Sequence, residues 1–138
     1  MQQTFILLKP DAIRRRLVGK TFAIFERNGL RILKKKSLKP SSRLIWKLYS
    51  NLNPKQNFAK AHVSYVSSGK VIAAILQGSN AVRKAKKLVG ATNPEKAAKG
   101  TIRRRFGYID RKRDLWLNVV HAADSKQNAK REAKLFGL

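Results

Sequence analysis

The sequence predicts an α+β fold of the ferredoxin-like, split βαβ type, in which a four-stranded antiparallel sheet carries helices packed on one face. Two observations predict it. Short apolar runs and segments of helical periodicity follow one another in the order strand, helix, strand, helices, strand, helix, loop, strand, helix. The 138 residues also show no internal repeat and no shift of composition, so residues 1–138 are predicted to form a single domain. Because this fold class hosts both enzymes and RNA-binding proteins, it assigns no function by itself.

Four short apolar runs predict the strands. Residues 4–8 form an apolar run that Lys9-Pro10 stops. Residues 30–33 form the second run, which three lysines continue towards solvent. Residues 71–76 are apolar throughout, which is typical of a buried strand, and residues 115–120 are the last strand candidate.

Apolar residues at helical spacing predict the helices. The clearest helix covers residues 81–89, with its apolar side chains on one side and four cations on the other. The others are expected over residues 18–25, after the capping serines at 41 and 42, over residues 58–66, and from a cap at Asp124 or Ser125 through Leu135. Residues 91–107 are predicted to form a long irregular loop, and such a loop in a compact domain is usually functional.

Charge is the strongest compositional signal. The chain has 32 Lys and Arg against 7 Asp and Glu, which gives a net charge of +25. Such a chain repels itself and attracts polyanions. The surplus is consistent with a solvated surface, with nucleic-acid binding or with binding of a phosphorylated small molecule. Composition alone favours nucleic acid.

Composition also limits the classes of site and the location. Cysteine is absent, which excludes disulfides and thiolate metal sites. The two histidines, His62 and His121, are far apart in the sequence, so no histidine metal cluster is expected. No apolar run approaches the roughly 20 residues that a membrane span needs, and no secretory signal is visible at the N-terminus. We therefore expect a cytoplasmic protein with no membrane partner.

Residues 118–125 form the most specific segment of the chain. Their sequence, N-V-V-H-A-A-D-S, resembles the N-[IV]-[IV]-H-[GA]-S-D-S signature of the nucleoside diphosphate kinases. Residues 4–11 are similar to the opening T-F-x-x-[IL]-K-P-D of that family, residues 90–94 to its G-x-T-[ND]-P, and residues 100–103 to its G-T-I-R. Since the similarities run in the right order through nearly the whole chain, the sequence is identified as an unusually basic member of this family.

The resemblance implies a ping-pong reaction in which the γ-phosphate of a nucleoside triphosphate passes to a nucleoside diphosphate through a phosphohistidine at His121. A neutral imidazole is a good nucleophile near pH 7, because its unperturbed pKa is about 6.5. Its second ring nitrogen needs a partner that fixes the tautomer. The resemblance implies that Glu132 is this partner, and that Lys9 and Tyr49 bracket the γ-phosphate and the histidine.

The resemblance also implies how the nucleotide and its metal ion are held. In the family, cations and a threonine hold the phosphates, an asparagine touches the sugar hydroxyl and an aromatic ring stacks on the base. The matching residues here, beside Lys9, are Phe58, Lys86, Thr92, Arg103 and Asn118. Mg²⁺ is expected to be bound to the nucleotide phosphates and to contact Asp124 through water. The family also implies a homo-oligomer, either a hexamer or a tetramer built from dimers.

Several residues depart from the family pattern, mostly at the rim of the site. Lys86 stands where the family usually has an arginine, which keeps the charge but loses the bidentate fork. Ala123 replaces a serine that supports the histidine–glutamate pair, and Arg104-Arg105 replaces Gly-Asp. Asn57 falls near the usual stacking ring, next to Phe58. Catalysis is therefore expected to be retained at a reduced rate.

Two other functions stay open at this point. One is a nucleic-acid-binding protein on the same scaffold, with weak or vestigial kinase activity. The joint presence of the kinase residues argues against it, because a pure binding protein has no reason to hold that set. The other is an RNA-recognition module, since residues 105–109 faintly echo the aromatic core motif of such modules. That motif lacks its first glycine here.

Overall fold

Six strands and seven helices make up the computed structural model, which describes residues 1–138. The strands are β1 (Gln2–Leu8), β2 (Arg31–Leu38), β3 (Val71–Gly78), β4 (Tyr108–Asp110), β5 (Leu115–Leu117) and β6 (Val120–Ala122). The helices are α1 (Pro10–Arg14), α2 (Val18–Arg27), α3 (Ser42–Leu48), α4 (Asn57–Val66), α5 (Ala81–Val89), α6 (Ile102–Phe106) and α7 (Lys126–Leu135). No helix is both long and apolar enough to cross a membrane.

The main sheet has four strands in the order β2-β3-β1-β6, and every neighbouring pair is antiparallel. This confirms the predicted four-stranded antiparallel sheet. β1 and β3, which hold the two most apolar runs, lie at its centre. β2 lies at one edge, and its three central lysines, Lys34, Lys35 and Lys36, are exposed.

The prediction of one strand over residues 115–120 was wrong. Residues 115–117 form β5, which pairs with β4 in a separate two-stranded sheet, and the main sheet receives β6 instead. The chain reverses between them at Val119, which has a φ of +73°. Because the Val120 N–H also donates to the Asn118 carbonyl at 2.8 Å, this is a γ-turn with positive φ, a rare and strained turn. A backbone position of this kind costs on the order of 1–3 kcal/mol.

Helices cover both faces of the sheet, and not one face as predicted. On β1, Ile6 and Leu8 pack into a core that includes residues of α2 and α5, such as Phe25. Phe5 and Leu7 point to the opposite face and pack into a second core that includes residues of α3, α4 and α7. The sequence held this signal, because an uninterrupted apolar strand is buried on both faces, whereas a strand with one solvated face alternates.

Two short helices were not predicted. Pro10, which was interpreted as a break, is the first residue of α1, where a missing N–H costs no hydrogen bond. α6 lies inside the segment 91–107 that was predicted to be irregular, and the Thr101 hydroxyl caps it by accepting from the Arg104 N–H at 3.3 Å. Of the two caps predicted for α7, the side chain that accepts from the helix is Ser125, at 3.0 Å from the Asn128 nitrogen.

Candidate active site

A cavity of about 370 Å³ opens where the end of β1, the γ-turn at Val119 and the helices α4 to α7 come together. Every site residue that the sequence predicted lines this cavity. They are Lys9, Tyr49, Phe58, Lys86, Thr92, Arg103, Asn118, His121, Asp124 and Glu132. Residues up to 123 positions apart in the chain therefore contribute to one site, as the motif similarities imply.

His121 is held by a carboxylate on one side of its ring. Nε2 lies 2.5 Å from Glu132 Oε1, and the Glu132 side chain is only 4% exposed. The Nε2–H donates to this carboxylate, so Nδ1 carries the lone pair and has no hydrogen-bond partner in the protein. Burial, together with the nearby Lys9 and Arg103 charges, lowers the pKa of His121, although Glu132 acts in the opposite direction. The imidazole is therefore neutral at pH 7, with a free nucleophilic nitrogen.

Tyr49 packs beside this imidazole. Its ring lies edge-on to His121 with centroids 5.4 Å apart, and the Lys9 ammonium is 5.9 Å from the centre of the tyrosine ring. Burial raises the pKa of Tyr49, so the phenol keeps its proton as a donor.

Lys9 is almost completely buried, at 2% exposed. Its ammonium donates to Asn118 Oδ1 at 2.6 Å, and the Asn118 amide donates to the Thr92 carbonyl at 2.8 Å. Burial, with a smaller contribution from Arg103, lowers the pKa of Lys9 to about 7. This hydrogen-bonded chain fixes three predicted phosphate or sugar contacts relative to one another, because each member restricts the next.

Arg103 is a second buried cation, 4% exposed. Its two terminal nitrogens donate to the carbonyls of Gly90, at 3.1 Å, and Val120, at 2.8 Å. Burial lowers its pKa to about 10, which still leaves it charged at pH 7. Neither Lys9 nor Arg103 forms an ion pair with an acidic side chain. A buried cation without an anion is costly, so the cavity favours an anionic ligand.

Unsatisfied donors support the same conclusion. Three buried side-chain polar atoms in the protein lack a hydrogen-bond partner, and two of them, the Tyr49 hydroxyl and Arg103 Nε, belong to cavity residues. Buried polar groups in proteins are nearly always paired. Two orphaned donor groups in one cavity therefore indicate a ligand that carries acceptors, as a polyphosphate does.

Lys86 and Asp124 extend the cavity towards solvent. Lys86 is half-buried, and burial, followed by the charge of Arg103, lowers its pKa. Asp124 is exposed, and its pKa is lowered chiefly by the Asn128 amide, which donates to Oδ1 at 2.6 Å. No group of three His, Asp or Glu side chains could enclose a metal ion. A single carboxylate beside phosphate-binding cations fits Mg²⁺ that arrives on a nucleotide and keeps most of its waters.

Aromatic side chains form the other end of the cavity. Phe58 is 38% exposed and meets Trp116 edge-on at 5.2 Å. His62 lies almost parallel to Phe58, with centroids 6.4 Å apart, and contacts Tyr49 at 4.9 Å. Asn57, which the sequence placed near the stacking position, does not line the cavity.

Trp116 and His62 also line the cavity and were not predicted from the sequence as site residues. His62 and His121, although 59 positions apart in the sequence, both line this cavity. The signals were present in the periodicity. His62 follows Phe58 by four residues in a helix, and Trp116 precedes Asn118 by two residues in an extended segment, so each pair shares a face.

A family model described as nucleoside diphosphate kinase matches residues 2–137. The chain belongs to the nucleoside diphosphate kinase family. It is 43% identical over 136 residues to the nucleoside diphosphate kinase of Archaeoglobus fulgidus, covering 99% of this chain and 86% of that protein. It is also 43% identical over 135 residues to the enzyme of Methanosphaera stadtmanae, with 98% and 85% coverage.

Solved structures of the family have the same fold. The apo crystal structure of nucleoside diphosphate kinase from Encephalitozoon cuniculi superposes with a TM-score of 0.87 at 36% identity, covering 99% of this chain and 88% of that one. A nucleoside diphosphate kinase family protein from Babesia bovis gives 0.86 at 33% identity, with the same coverage. Family membership makes the chain a nucleoside diphosphate kinase, a phosphotransferase, and confirms the resemblance seen in the sequence.

The two alternatives gain no support. The family model and the relatives reported above are all nucleoside diphosphate kinases. Residues 105–109, which echo the RNA-recognition motif, span the end of α6 and the start of β4. They lie outside the four-stranded sheet that would have to carry such a motif.

Proposed function

We propose that this kinase works by a ping-pong route through a phosphohistidine at His121. The observation that carries the proposal is the pairing of Nε2 with Glu132, which leaves Nδ1 as the free nucleophile beside buried, unpaired cations. Nδ1 attacks the γ-phosphorus, a P–N bond forms, the bond to the β–γ bridging oxygen breaks and the nucleoside diphosphate leaves. A second diphosphate then attacks the phosphohistidine and restores the imidazole.

Incubation with γ-labelled ATP tests this route. The label should become covalent, survive mild alkali, disappear in acid and move to an unlabelled nucleoside diphosphate. Absence of covalent label while transfer proceeds would show direct transfer without a phosphoenzyme.

The remaining cavity residues position the phosphates and stabilise their charge. Phosphoryl transfer depends mostly on positioning and electrostatic stabilisation. Lys9 and the Tyr49 hydroxyl act on the γ-phosphate, Arg103 and Thr92 hold the β- and γ-phosphates, and Asn118 contacts the sugar hydroxyl.

Lys86 adds a point charge at the same phosphates, and Asp124 would hold Mg²⁺ through water. When bound with the nucleotide, Mg²⁺ would neutralise part of the negative charge of the phosphates. The single positive charge of Lys86, in place of an arginine fork, and the loss of a serine at Ala123 support a rate below that of the family pattern.

From family membership we also infer that the enzyme assembles as a hexamer or a tetramer of dimers. We further propose that it is located in the cytoplasm. Each subunit then carries +25 into the assembly, so close approach is opposed by a repulsion that salt screens over about 10 Å at 0.1 M.

Replacement of Phe58 by alanine should weaken all nucleotides alike. The ring lies at the aromatic end of the cavity, where it can stack on any base. Because a stacking contact is worth roughly 1–3 kcal/mol, kcat/KM should fall about 5- to 150-fold for ATP, GTP, CTP and UTP. Asn57→Ala, at the exposed neighbouring residue outside the cavity, is the matched control and should change kcat/KM little. A loss confined to one base would mean that the site reads base edges.

A second activity, non-specific binding of polyanions outside the cavity, is supported by unpaired surface charge. Acidic partners are found for only three arginines, at 111, 113 and 131. A group that we call the Arg–aromatic cluster lies away from the cavity and places exposed arginines beside rings: Arg15 over the exposed ring of Tyr108, and Arg105 over the half-buried ring of Phe106. Cations beside stacking rings are the combination that binds single strands without sequence preference.

Binding of unrelated single-stranded RNA and DNA oligomers should therefore fall steeply with salt. Release of counterions gives a slope of about −0.7 per phosphate contact, so four contacts give a log–log slope of about −3. Saturating Mg·ADP should compete little. Arg15→Gln with Arg105→Gln should weaken binding more than the equal charge loss of Lys34→Gln with Lys35→Gln on the edge strand β2. Complete displacement by Mg·ADP would place the oligomer in the kinase cavity.

A further inference from the structure

The γ-turn at Val119 decides which way the catalytic side chains point. Four residues other than glycine have positive φ, namely Arg16, Asn80, Asp114 and Val119. Val119 alone among them is buried, at 0% exposed, and it is β-branched, the side-chain class least suited to this conformation.

The turn has a direct effect on the cavity. Along a continuous strand, successive side chains point to opposite faces, so residues 118 and 121 would be separated by the sheet. In the structure both Asn118 and His121 line the same cavity, because the chain reverses at Val119 between β5 and β6. The nucleophile and the group that orients Lys9 share a site only while this turn persists.

A buried carboxylate holds the turn. Asp11 is 0% exposed, and its Oδ2 accepts from the Val119 N–H at 3.0 Å. The other oxygen, Oδ1, accepts from the Tyr65 hydroxyl at 3.1 Å, and Arg14 donates to that hydroxyl at 3.2 Å. The carbonyl of the same residue is also held, because the Lys9 N–H donates to the Val119 oxygen at 2.9 Å. Both polar groups of the strained residue are thus held by the segment that begins α1.

We propose that Asp11 is a positioning residue for phosphoryl transfer, whose carboxylate holds the Val119 turn so that Asn118 and His121 face one cavity. Asp11 does not line the cavity, so it acts through Val119 and touches no substrate. The inference rests on the proposed role of His121.

The test is the single-turnover rate of His121 phosphorylation at saturating ATP. Asp11→Ala removes the acceptor of the Val119 N–H and should slow this rate about 10²-fold, the effect of displacing a reacting group by about 1 Å. Asp11→Asn keeps one acceptor and should stay within about 10-fold of the wild type. Tyr65→Phe removes the other partner of Asp11 without touching Val119, and should cost less than about 3-fold.

Measuring Asp11→Ala in a V119G protein distinguishes loss of positioning at the turn from general damage to the fold. Glycine adopts positive φ freely, so V119G needs no clamp. We expect the effect of Asp11→Ala to shrink from about 10²-fold to under about 10-fold when it is measured in V119G. The same loss in both backgrounds, or a folded Asp11→Ala protein phosphorylated within about 3-fold of the wild-type rate, would overturn the proposal.

If Asp11→Ala does not fold, Asp11→Asn takes its place, and its phosphorylation rate is measured with and without V119G. The loss of rate that Asp11→Asn causes must then be smaller in V119G than in the wild-type background. The wild type, labelled in parallel, distinguishes the two levels of failure. Absence of label on wild-type His121 refutes the phosphohistidine route, whereas normal label on both wild type and Asp11→Ala refutes only the role of Asp11.

Discussion

Replacement of His121 by glutamine is expected to abolish covalent labelling by ATP and to reduce phosphate transfer by at least about 10⁴-fold, the scale seen when an enzyme loses its nucleophile. Glutamine preserves much of the size of the imidazole but has no nitrogen lone pair that can attack phosphorus. Glu132 orients the His121 ring through Nε2. Nδ1 of the same ring therefore stays free in the cavity that Lys9 and Arg103 also line. Labelling with γ-labelled ATP and steady-state transfer assays measure both effects.

His62→Gln is the matched control. His62 lines the same cavity and is 9% exposed, but no carboxylate or other group is hydrogen-bonded to either of its ring nitrogens. Burial, with a smaller contribution from the charge of Lys9, lowers the pKa of His62, so it too is neutral at pH 7. The His62→Gln protein should still acquire alkali-stable label. Label that persists in His121→Gln and disappears in His62→Gln would move the phosphate to His62.

Replacement of Glu132 by glutamine should lower the rate of phosphorylation on the order of 10²- to 10⁴-fold without abolishing it. The carboxylate fixes the Nε2–H tautomer and stabilises positive charge as the ring becomes phosphorylated. A neutral amide can donate to Nε2 as well as accept from it, so part of the population carries the proton on Nδ1, where attack is blocked. Pre-steady-state phosphorylation and ¹⁵N chemical shifts of the imidazole measure the rate and the tautomer.

Glu26→Gln provides the control for loss of one negative charge. Glu26 is exposed on α2 and does not line the cavity, so its replacement should leave the rate unchanged. Glu132→Asp keeps the charge but shortens the side chain, and it should recover part of the loss. A Glu132→Gln enzyme with the wild-type rate and tautomer would show that the 2.5 Å contact only supports the fold.

The sequence predicted the fold class and the central strands because those features follow from local pattern. The runs at residues 4–8 and 71–76 are apolar at successive positions, and they became the two central strands β1 and β3. The same runs indicated burial on both faces, which the one-face prediction overlooked. The reversal at Val119 has no local signal, because valine disfavours positive φ. It is imposed by contacts with Asp11 and Lys9, more than 100 residues away in the chain.

The candidate site shows the same division. The motif around His121 predicted residues that do gather in one cavity, including Glu132, eleven positions further on. Helical and strand periodicity could also have added His62 and Trp116. The anchoring of Arg103 to the carbonyls of Gly90 and Val120 could not be predicted, since it depends on how α6, an unpredicted helix, packs beside β6.

Because of the two buried cations, the stability of the folded enzyme should depend on the concentration of nucleotides. Lys9 and Arg103 lie in the interior without an acidic ion-pair partner, and a bound polyphosphate supplies the missing anion. A ligand that binds only the folded state at 100 times its Kd adds about 2.7 kcal/mol to the free energy of unfolding. Depletion of nucleotides would therefore lower the free energy of unfolding and make the protein more susceptible to proteolysis. The substrates thus stabilise the enzyme that uses them.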